Sequence, residues 1–348
     1  MTPYVTTLLL SSLGLGTMVT FASSHWLLAW MGLELNTLAI IPLMARSHHP
    51  RAVEAATKYF LVQATAAAIL LFASATNAWL TGQWGIYMMT HPLPSTLMIL
   101  ALALKLGLAP LHLWLPEVMQ GLDLTTGLIL ATWQKLAPFA LLLQVPLQDQ
   151  TVLIIFALAS TLLGGWGGFS QTQLRKIMAY SSVAHLGWMI LVAQFAPNLM
   201  LLTLLLYLVM TSSAFLTLKY NKVHTVNSLS VSWAKAPALT LFIPMLMLSL
   251  AGLPPLSGFM PKWMILQELT KQELPITATL SAFTALLSLY FYLRLSYSVT
   301  LTASPNNTTA ASSWRFLPPL MTTPLSLSMA FSVTLLPMTP SIMANVFL

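Results

Sequence analysis

Four ionisable residues lie deep inside long apolar stretches of this 348-residue chain, and they are Glu34, Lys105, Lys135 and Lys262. A charged side chain at the centre of a bilayer costs ~3 kcal/mol, so four unpaired charges would cost ~12 kcal/mol, which rivals the stability of an ordinary fold. We therefore expect them to face one another or water inside a helical bundle. Buried lysines and carboxylates can exchange protons, because their charge state responds to burial and to neighbouring charges. The alternative is a set of static salt bridges that fix helix packing.

Two histidines are weaker candidates for the same chemistry. His112 and His185 lie within apolar segments, where an imidazole can relay protons or simply form a hydrogen-bonded packing contact. Glu54 and Lys58 are four residues apart, and this spacing predicts a local helical ion pair. Glu117 and Asp123 flank a short loop, where we expect an aqueous entrance.

The composition excludes a soluble protein. Only 6% of the residues are charged and 57% are hydrophobic, and the mean hydropathy is +0.81, whereas soluble domains carry about 25% charged residues. The chain has no cysteine, and its seven histidines show no metal-ligand spacing. We therefore expect no metal or cofactor bound by this chain. In a membrane protein the net charge of +7 reports topology, so no nucleic-acid partner is expected.

The elements that must hold these charges are transmembrane helices. A bilayer core of ~30 Å needs ~20 apolar residues per helix, and this length predicts an all-α, polytopic membrane bundle of about eleven spans. The predicted spans are 3–22, 25–45, 53–78, 95–119, 124–144, 151–169, 175–195, 199–218, 237–270, 275–299 and 321–345. The stretch from Ser304 to Ser313 is polar and predicts a flexible loop.

The basic residues separate by face when these spans alternate across the membrane. One face carries Arg46, Arg51, Arg175, Lys176, Lys219, Lys222, Lys235 and Arg315. The opposite face receives Lys271, beside Glu268 and Glu273. This asymmetry follows the positive-inside rule and supports the span count independently. It predicts the N-terminus on the positive face and the C-terminus on the opposite one.

An internal repeat interrupts the fourth and ninth spans. The run from Gly107 to Glu117 (GLAPLHLWLPE) aligns with the run from Gly252 to Lys262 (GLPPLSGFMPK) at a constant offset of 145 residues. Both runs contain prolines, which remove a backbone hydrogen bond and break the helix. A broken turn inside a membrane must be buried in protein or line a wet cavity, and paired broken helices in two halves indicate a transport path.

Three motifs resemble those of a known family. The run from Lys105 to Glu117 is similar to the signature of the antiporter-like subunits of respiratory complex I, which is shared with multi-subunit cation/proton antiporters. The run from Arg175 to Gly187 (RKIMAYSSVAHLG) and the run from Leu253 to Lys262 are similar to two further family signatures. The motifs occur in the family's order and span the chain. The segment around Glu34, the length and the lack of cysteine resemble the mitochondrially encoded members.

The resemblance implies roles for the four charges. Glu34 would match the family's modulating glutamate, Lys105 the lysine of the first channel, Lys135 the connecting central lysine and Lys262 the lysine of the second half-channel. It also implies two inverted repeats of five helices in one domain of residues 1–348, with half-repeats at about 1–145 and 150–300 and a final helix at 321–345. Relatives typically have fourteen helices, so this chain lacks counterparts of the first three.

The same resemblance implies a core proton-translocating subunit of NADH:ubiquinone oxidoreductase in the mitochondrial inner membrane. Its N-terminus would lie on the matrix side and its C-terminus on the intermembrane-space side. NADH, FMN, Fe–S clusters and ubiquinone would be bound by other subunits, and the partners would be other membrane-arm subunits, phospholipids and protons. Two alternatives remain open, namely a stand-alone cation/proton antiporter and a bundle that serves assembly alone.

Overall fold

The computed structural model describes residues 2–146, 150–234, 236–302 and 322–339, together with residues 341 and 344. The α-helices are α1 (Pro3–Ala22), α2 (Trp26–Met44), α3 (Pro50–Thr81), α4 (Pro92–Leu106), α5 (Trp114–Gly121), α6 (Leu124–Ala131), α7 (Trp133–Gln144), α8 (Gln150–Gly167), α9 (Leu174–Val192), α10 (Pro197–Asn221), α11 (Val226–Ser230), α12 (Pro237–Ala251), α13 (Phe259–Lys271), α14 (Pro275–Thr300) and α15 (Thr323–Thr334). Short 3-10 turns occupy Ala45–Ser47, Ile86–Met88, Val231–Ala234 and Leu336–Met338. Two isolated β-bridges join His25 to Gly85 and Gln173 to Thr225.

Six helical segments within the described residues are long and apolar enough to cross a membrane. They are α1, α2, α3, α10, α14 and the α6–α7 pair. Three shorter apolar helices are Pro92–Leu106, Thr151–Gly167 and Pro237–Ala251. The chain is therefore an all-helical, multi-pass membrane protein. The predicted number of eleven spans stays a prediction, because several of the predicted spans are short or broken helices in the structure.

The predicted interruptions of the fourth and ninth spans are present. Helix α4 ends before Gly107 and α12 ends before Gly252, and both glycines adopt the left-handed conformation, with φ of 80° and 79°. In each case the glycine N–H donates to the carbonyls three and four residues earlier, as in a glycine C-cap. The helices before and after each break start in the same register, since α4 and α12 start at Pro92 and Pro237 and α5 and α13 start at Trp114 and Phe259.

The predicted span 124–144 contains a third break that the hydropathy pattern does not reveal. Thr132 has a distorted helical conformation, with φ of −113° and ψ of −70°, and it separates α6 from α7. Its hydroxyl donates to the Leu128 carbonyl at 2.7 Å. Pro138 lies inside α7, where proline removes a helical donor and crowds the carbonyl four residues earlier. As a result Lys135 lies in the first turn of α7 and not in the middle of a continuous helix.

The final predicted span, 321–345, is interrupted within the described residues. Helix α15 ends at Thr334 and is followed by a 3-10 turn at Leu336–Met338 that contains Pro337. Proline lacks the backbone N–H that a continuing helix would need. Residues 321, 340, 342, 343 and 345 lie outside the described residues, as do the predicted loop 304–313 and two of the basic residues, Lys235 and Arg315.

The chain divides into two compact units, residues 1–160 and 161–348. In the first unit α1 packs on α2, and α3 packs on α4 and α5. Helices α1 and α2 meet at Gly16 and Gly32, where a Cβ atom on either residue would lie 2.9 Å from the carbonyl oxygen of the other. Small residues allow this close backbone approach, which is a typical packing mode of membrane helices.

The second unit is built around α10, α12 and α14. Helix α12 packs on α14, and α10 packs on α15. Leu246, Leu325 and Met329 form a buried apolar cluster between these helices. The Ser257 hydroxyl, in the break between α12 and α13, donates to the Ser332 carbonyl of α15. Helix α15 is thus tied to the broken helix by both apolar and polar contacts.

Candidate functional site

A small buried cavity lies at the centre of the first unit, and it brings two predicted site residues together. Its volume is about 20 Å³, and its lining includes Lys105, Lys135 and four uncharged polar residues, Asn36, Thr37, Gln63 and Gln134. A cavity of this size with several polar partners has room for a water molecule. The cavity is therefore a polar compartment shared by two buried amines.

Lys105 reaches the cavity from the last turn of α4, next to the glycine break. Its side chain is buried, with 6% of the residue exposed, and Nζ has no hydrogen-bond partner among the described residues. The surrounding backbone is held in place from both sides. The Gln63 amide donates to the Lys105 carbonyl at 3.4 Å, and the Trp114 indole donates to the Leu104 carbonyl at 3.2 Å. The broken helix thus presents a buried amine to a polar cavity.

Lys135 approaches the same cavity from α7. It is 3% exposed, and the break at Thr132 sets where α7 begins and hence where the lysine lies. The neighbouring Gln134 amide donates to the Asn36 carbonyl of α2 at 3.1 Å. This bond ties the first turn of α7 to α2.

Glu34 lies midway along α2 and is half-buried. Its Oε2 accepts a hydrogen bond from the Thr37 hydroxyl at 3.0 Å. It interacts electrostatically with Lys105 and with the buried Tyr59. The expectation that Glu34 faces another buried charge or water stays a prediction.

A second cavity of about 20 Å³ lies within the second unit and brings Lys262 together with His185. Lys262 Nζ donates to the Ala251 carbonyl, the last of α12, at 2.7 Å, and lies 5.9 Å from the centre of the Trp188 ring. A cation at a helix C-terminus is favoured by the helix dipole. The lysine from α13 therefore closes the end of the broken helix α12.

His185 is held by two tyrosines. The Tyr292 hydroxyl lies 3.4 Å from His185 Nε2, and the Tyr207 ring centre lies 5.6 Å from the imidazole centre. Both tyrosines are buried. The imidazole thus has a hydrogen-bonding partner on α14 and borders the cavity that holds Lys262. This geometry fits either a relay or an oriented packing residue.

The remaining predicted residues lie elsewhere. His112 is buried, 6% exposed, in the break between α4 and α5, and does not line the cavity of Lys105. The local pair of Glu54 and Lys58 is confirmed, with Nζ 2.8 Å from Oε1. The same Nζ lies 2.8 Å from Glu117 Oε2 on α5, a contact that the sequence did not predict. Asp123 is exposed at the start of α6.

Four residues that line the first cavity were not predicted, because an uncharged polar residue in an apolar run is a weaker signal than a charge. Asn36, Thr37, Gln63 and Gln134 are uncharged, so they stand out only as polar residues within apolar runs. Asn36 is 2% exposed, and neither polar atom of its side chain has a hydrogen-bond partner among the described residues. A buried amide in that state calls for water.

A charged residue of α14 was also missed. Arg294 donates to the carbonyls of Phe169 and Gln171, which follow α8. Its position inside the predicted apolar span 275–299 was a signal in the sequence. Among the described residues, no group of three or more His, Asp or Glu side chains is arranged to hold a metal ion.

Comparisons with known proteins identify the family. A family profile described as NADH:quinone oxidoreductase/Mrp antiporter, TM, matches residues 23–288, and one described as NADH dehydrogenase subunit 2 C-terminus matches residues 289–343. The chain is 69% identical over 346 residues to NADH-ubiquinone oxidoreductase chain 2 of Tetraodon nigroviridis, covering 99% of each chain. It is 66% identical over 345 residues to that of Oncorhynchus mykiss, again covering 99% of each.

Solved structures have the same fold. A chain of respiratory complex I from Thermus thermophilus superposes with a TM-score of 0.80 at 29% identity, covering 96% of this chain and 80% of that one. A chain of the Mrp complex from Dietzia sp. superposes with a TM-score of 0.81 at 18% identity, covering 96% and 75%. The second likeness concerns the fold alone.

Proposed function

The chain belongs to the NADH-ubiquinone oxidoreductase chain 2 family, and we propose that it moves protons through a buried series formed by Glu34, Lys105, Lys135 and Lys262. It is an antiporter-like, proton-translocating membrane subunit of an oxidoreductase complex. The observation that carries the proposed path is the cavity that Lys105 and Lys135 share. Redox chemistry in other subunits would drive the transfer.

Two amines in one small cavity have linked charge states. At a separation of ~8 Å and an effective dielectric constant of ~20, two ammonium groups repel by ~2 kcal/mol, which is about a thirtyfold preference against charging both. A proton on Lys105 therefore disfavours one on Lys135. The carboxylate of Glu34, which interacts with Lys105, stabilises the charge on that side of the cavity. Changing the charge of Glu34 would shift the proton towards Lys135.

The second unit would supply a further exchange site at Lys262. Its ammonium lies at the end of a broken helix and borders a cavity with His185. By its position in the motif, Lys262 resembles the lysine of the family's second half-channel. His185 and His112 are proposed as relays. His185 is the better supported of the two, because it borders the cavity that holds Lys262.

The finer topology is part of the proposal. We propose eleven spans with two inverted repeats of five, in the mitochondrial inner membrane, with the N-terminus on the matrix side. The shared register of the two broken helices supports the repeat, and the distribution of basic residues supports the sidedness. Other membrane-arm subunits, phospholipids and protons would be the partners, and the redox cofactors would be bound elsewhere in the complex.

A stand-alone cation/proton antiporter is the second candidate, because the description of the matching family profile names the Mrp antiporter beside NADH:quinone oxidoreductase. Full-length identity of 69% to an oxidoreductase chain weighs against it. Proton or cation transport by the purified chain in vesicles would favour the antiporter.

The experiment that tests the proposed path replaces Lys105 or Lys135 by Ala and measures protons translocated per electron in the assembled complex. We expect each variant to lower that ratio. Lys271→Ala is a matched control, because Lys271 is an exposed lysine whose side chain is 59% accessible. An unchanged ratio in assembled Lys105 and Lys135 variants would reject the proton path.

A further inference from the structure

Thr37 is the side chain of α2 that touches both Glu34 and the lysine cavity. It is buried, 6% exposed, and lines the cavity of Lys105 and Lys135. Its Oγ1 also lies within hydrogen-bond distance of Glu34. A buried threonine in a helix commonly bonds the carbonyl three or four residues earlier, so this double placement is the unusual feature.

The hydroxyl has two acceptors on the same residue. Thr37 Oγ1 is 2.9 Å from the Glu34 backbone carbonyl and 3.0 Å from the carboxylate Oε2. A hydroxyl carries one hydrogen and two lone pairs, so it donates to one acceptor at a time. An ionised carboxylate is the stronger acceptor, because charge-assisted hydrogen bonds are roughly twice as strong as neutral ones. A neutral carboxyl group removes that preference and releases the hydroxyl to the backbone carbonyl.

The cavity next to this hydroxyl has room for a water molecule and borders polar atoms that have no hydrogen-bond partner among the described residues. The neighbouring Asn36 presents two buried polar atoms without partners, and Lys105 presents a third. Asn36, Thr37 and Lys105 all line the same cavity. Water there would meet the Thr37 oxygen, whose lone pairs are reoriented when its hydrogen changes acceptor.

We infer that Thr37 is a positioning residue that transmits the charge state of Glu34 to the lysine cavity by switching its hydroxyl hydrogen between the Glu34 carboxylate and the Glu34 backbone carbonyl. The step rotates an O–H bond and breaks no covalent bond. It rests on the proposed proton path and adds a component that carries no charge of its own. A serine at position 37 keeps the hydroxyl and could make the same switch. A valine has the same shape as threonine without the hydroxyl and could not.

The test compares Thr37→Val, Thr37→Ala and Thr37→Ser in the assembled complex, with the initial rate of proton translocation coupled to NADH oxidation as the readout. We expect the two variants without a hydroxyl to slow translocation by about tenfold, as for the loss of a hydrogen bond to a charged group. Thr37→Ser should stay within about twofold of the original rate. Uncoupled NADH oxidation reports assembly.

Thr20→Val is the matched control. Thr20 is a fully buried threonine of α1 whose hydroxyl donates to the Thr17 carbonyl at 2.7 Å. It is expected to leave translocation unchanged. A translocation defect in Thr37→Ser equal to that in Thr37→Val would assign the effect to packing and overturn the inference.

Two further outcomes separate this inference from the proposed function. Normal translocation in Thr37→Val, together with a defect in Lys105→Ala, would overturn the role of Thr37 and leave the proton path standing. Normal translocation in Lys105→Ala would remove the proton path and the inference with it. If both variants without a hydroxyl fail to assemble while Thr37→Ser assembles, the hydroxyl is structural and the inference is rejected.

Discussion

Replacing Lys105 by leucine separates a proton-exchanging lysine from a structural one. The residue is buried, and its Nζ has no hydrogen-bond partner among the described residues. Burying the lysine costs ~3 kcal/mol, whereas burying a leucine at the same place is favourable by ~0.5 kcal/mol, so the substitution stabilises this position by ~3.5 kcal/mol. It also loses the attraction to Glu34; for opposite charges ~6 Å apart at an effective dielectric constant of ~20, such an attraction is ~2.8 kcal/mol. The two terms nearly cancel, and we expect stability to change by less than about 1 kcal/mol.

A static salt bridge would behave differently. Removing one partner of a buried ion pair costs ~3–5 kcal/mol, because the other charge stays buried and uncompensated. The rate of heat inactivation of uncoupled NADH oxidation distinguishes the two cases, since a change of ~1.4 kcal/mol is tenfold in rate. We expect Lys105→Leu to change this rate by less than about fivefold, whereas a structural pair predicts an increase of more than about 100-fold.

Proton translocation supplies the second half of the assay. Lys105→Leu removes the exchangeable ammonium, so an assembled complex should oxidise NADH with fewer protons translocated per electron. If heat inactivation of Lys105→Leu were more than about 100-fold faster, the estimate of a nearly unchanged stability would be wrong, and Lys105 would have a fixed ionic partner. Normal translocation in an assembled variant would refute its chemical role.

Substitutions at Lys262, Tyr292 and Gly16 test three other contacts. Lys262→Arg keeps a cationic donor for the last carbonyl of α12, so assembly should survive, but proton translocation should be lost because arginine is not deprotonated in proteins; a normal rate would make the residue a static cation. Tyr292→Phe removes the hydroxyl 3.4 Å from His185 Nε2 and should slow translocation about threefold, as for the loss of one hydrogen bond; an unchanged rate would leave His185 a packing residue. Gly16→Ala places a methyl group against α2 and should cost ~1–3 kcal/mol, seen as poorer assembly, whereas Gly14→Ala meets open space and serves as the control.

The boundaries of several helices could be predicted from the local sequence. Helices α1, α2, α9 and α14 begin and end within a few residues of the predicted spans 3–22, 25–45, 175–195 and 275–299. An apolar run of about twenty residues has one stable way to satisfy its backbone in lipid, which is a helix. The two breaks at Gly107 and Gly252 could also be predicted, because the prolines that follow each glycine within a few residues are a local signal against a continuous helix.

The third break was not readable in the same way. Thr132 follows an apolar run and resembles many threonines that continue a helix, and the hydropathy of 124–144 is that of one span. The early end of α15 has a local cause in Pro337, yet hydropathy averaged over twenty residues conceals it. A threonine break of this kind depends on which carbonyls and neighbours the surrounding helices supply, so composition does not determine it.

By itself, the sequence determined that Glu34, Lys105, Lys135 and Lys262 must be sheltered within a bundle of helices, because lipid penalises each charge wherever the helix lies. Only the tertiary structure decided that Lys105 and Lys135 share one cavity, and that Thr37 joins Glu34 to it. Helical periodicity determines which face a side chain occupies, whereas the partner across that face is set by the packing of helices far apart along the chain. The buried charges can therefore be predicted from the sequence, whereas the uncharged groups that connect them are identified only from the folded structure.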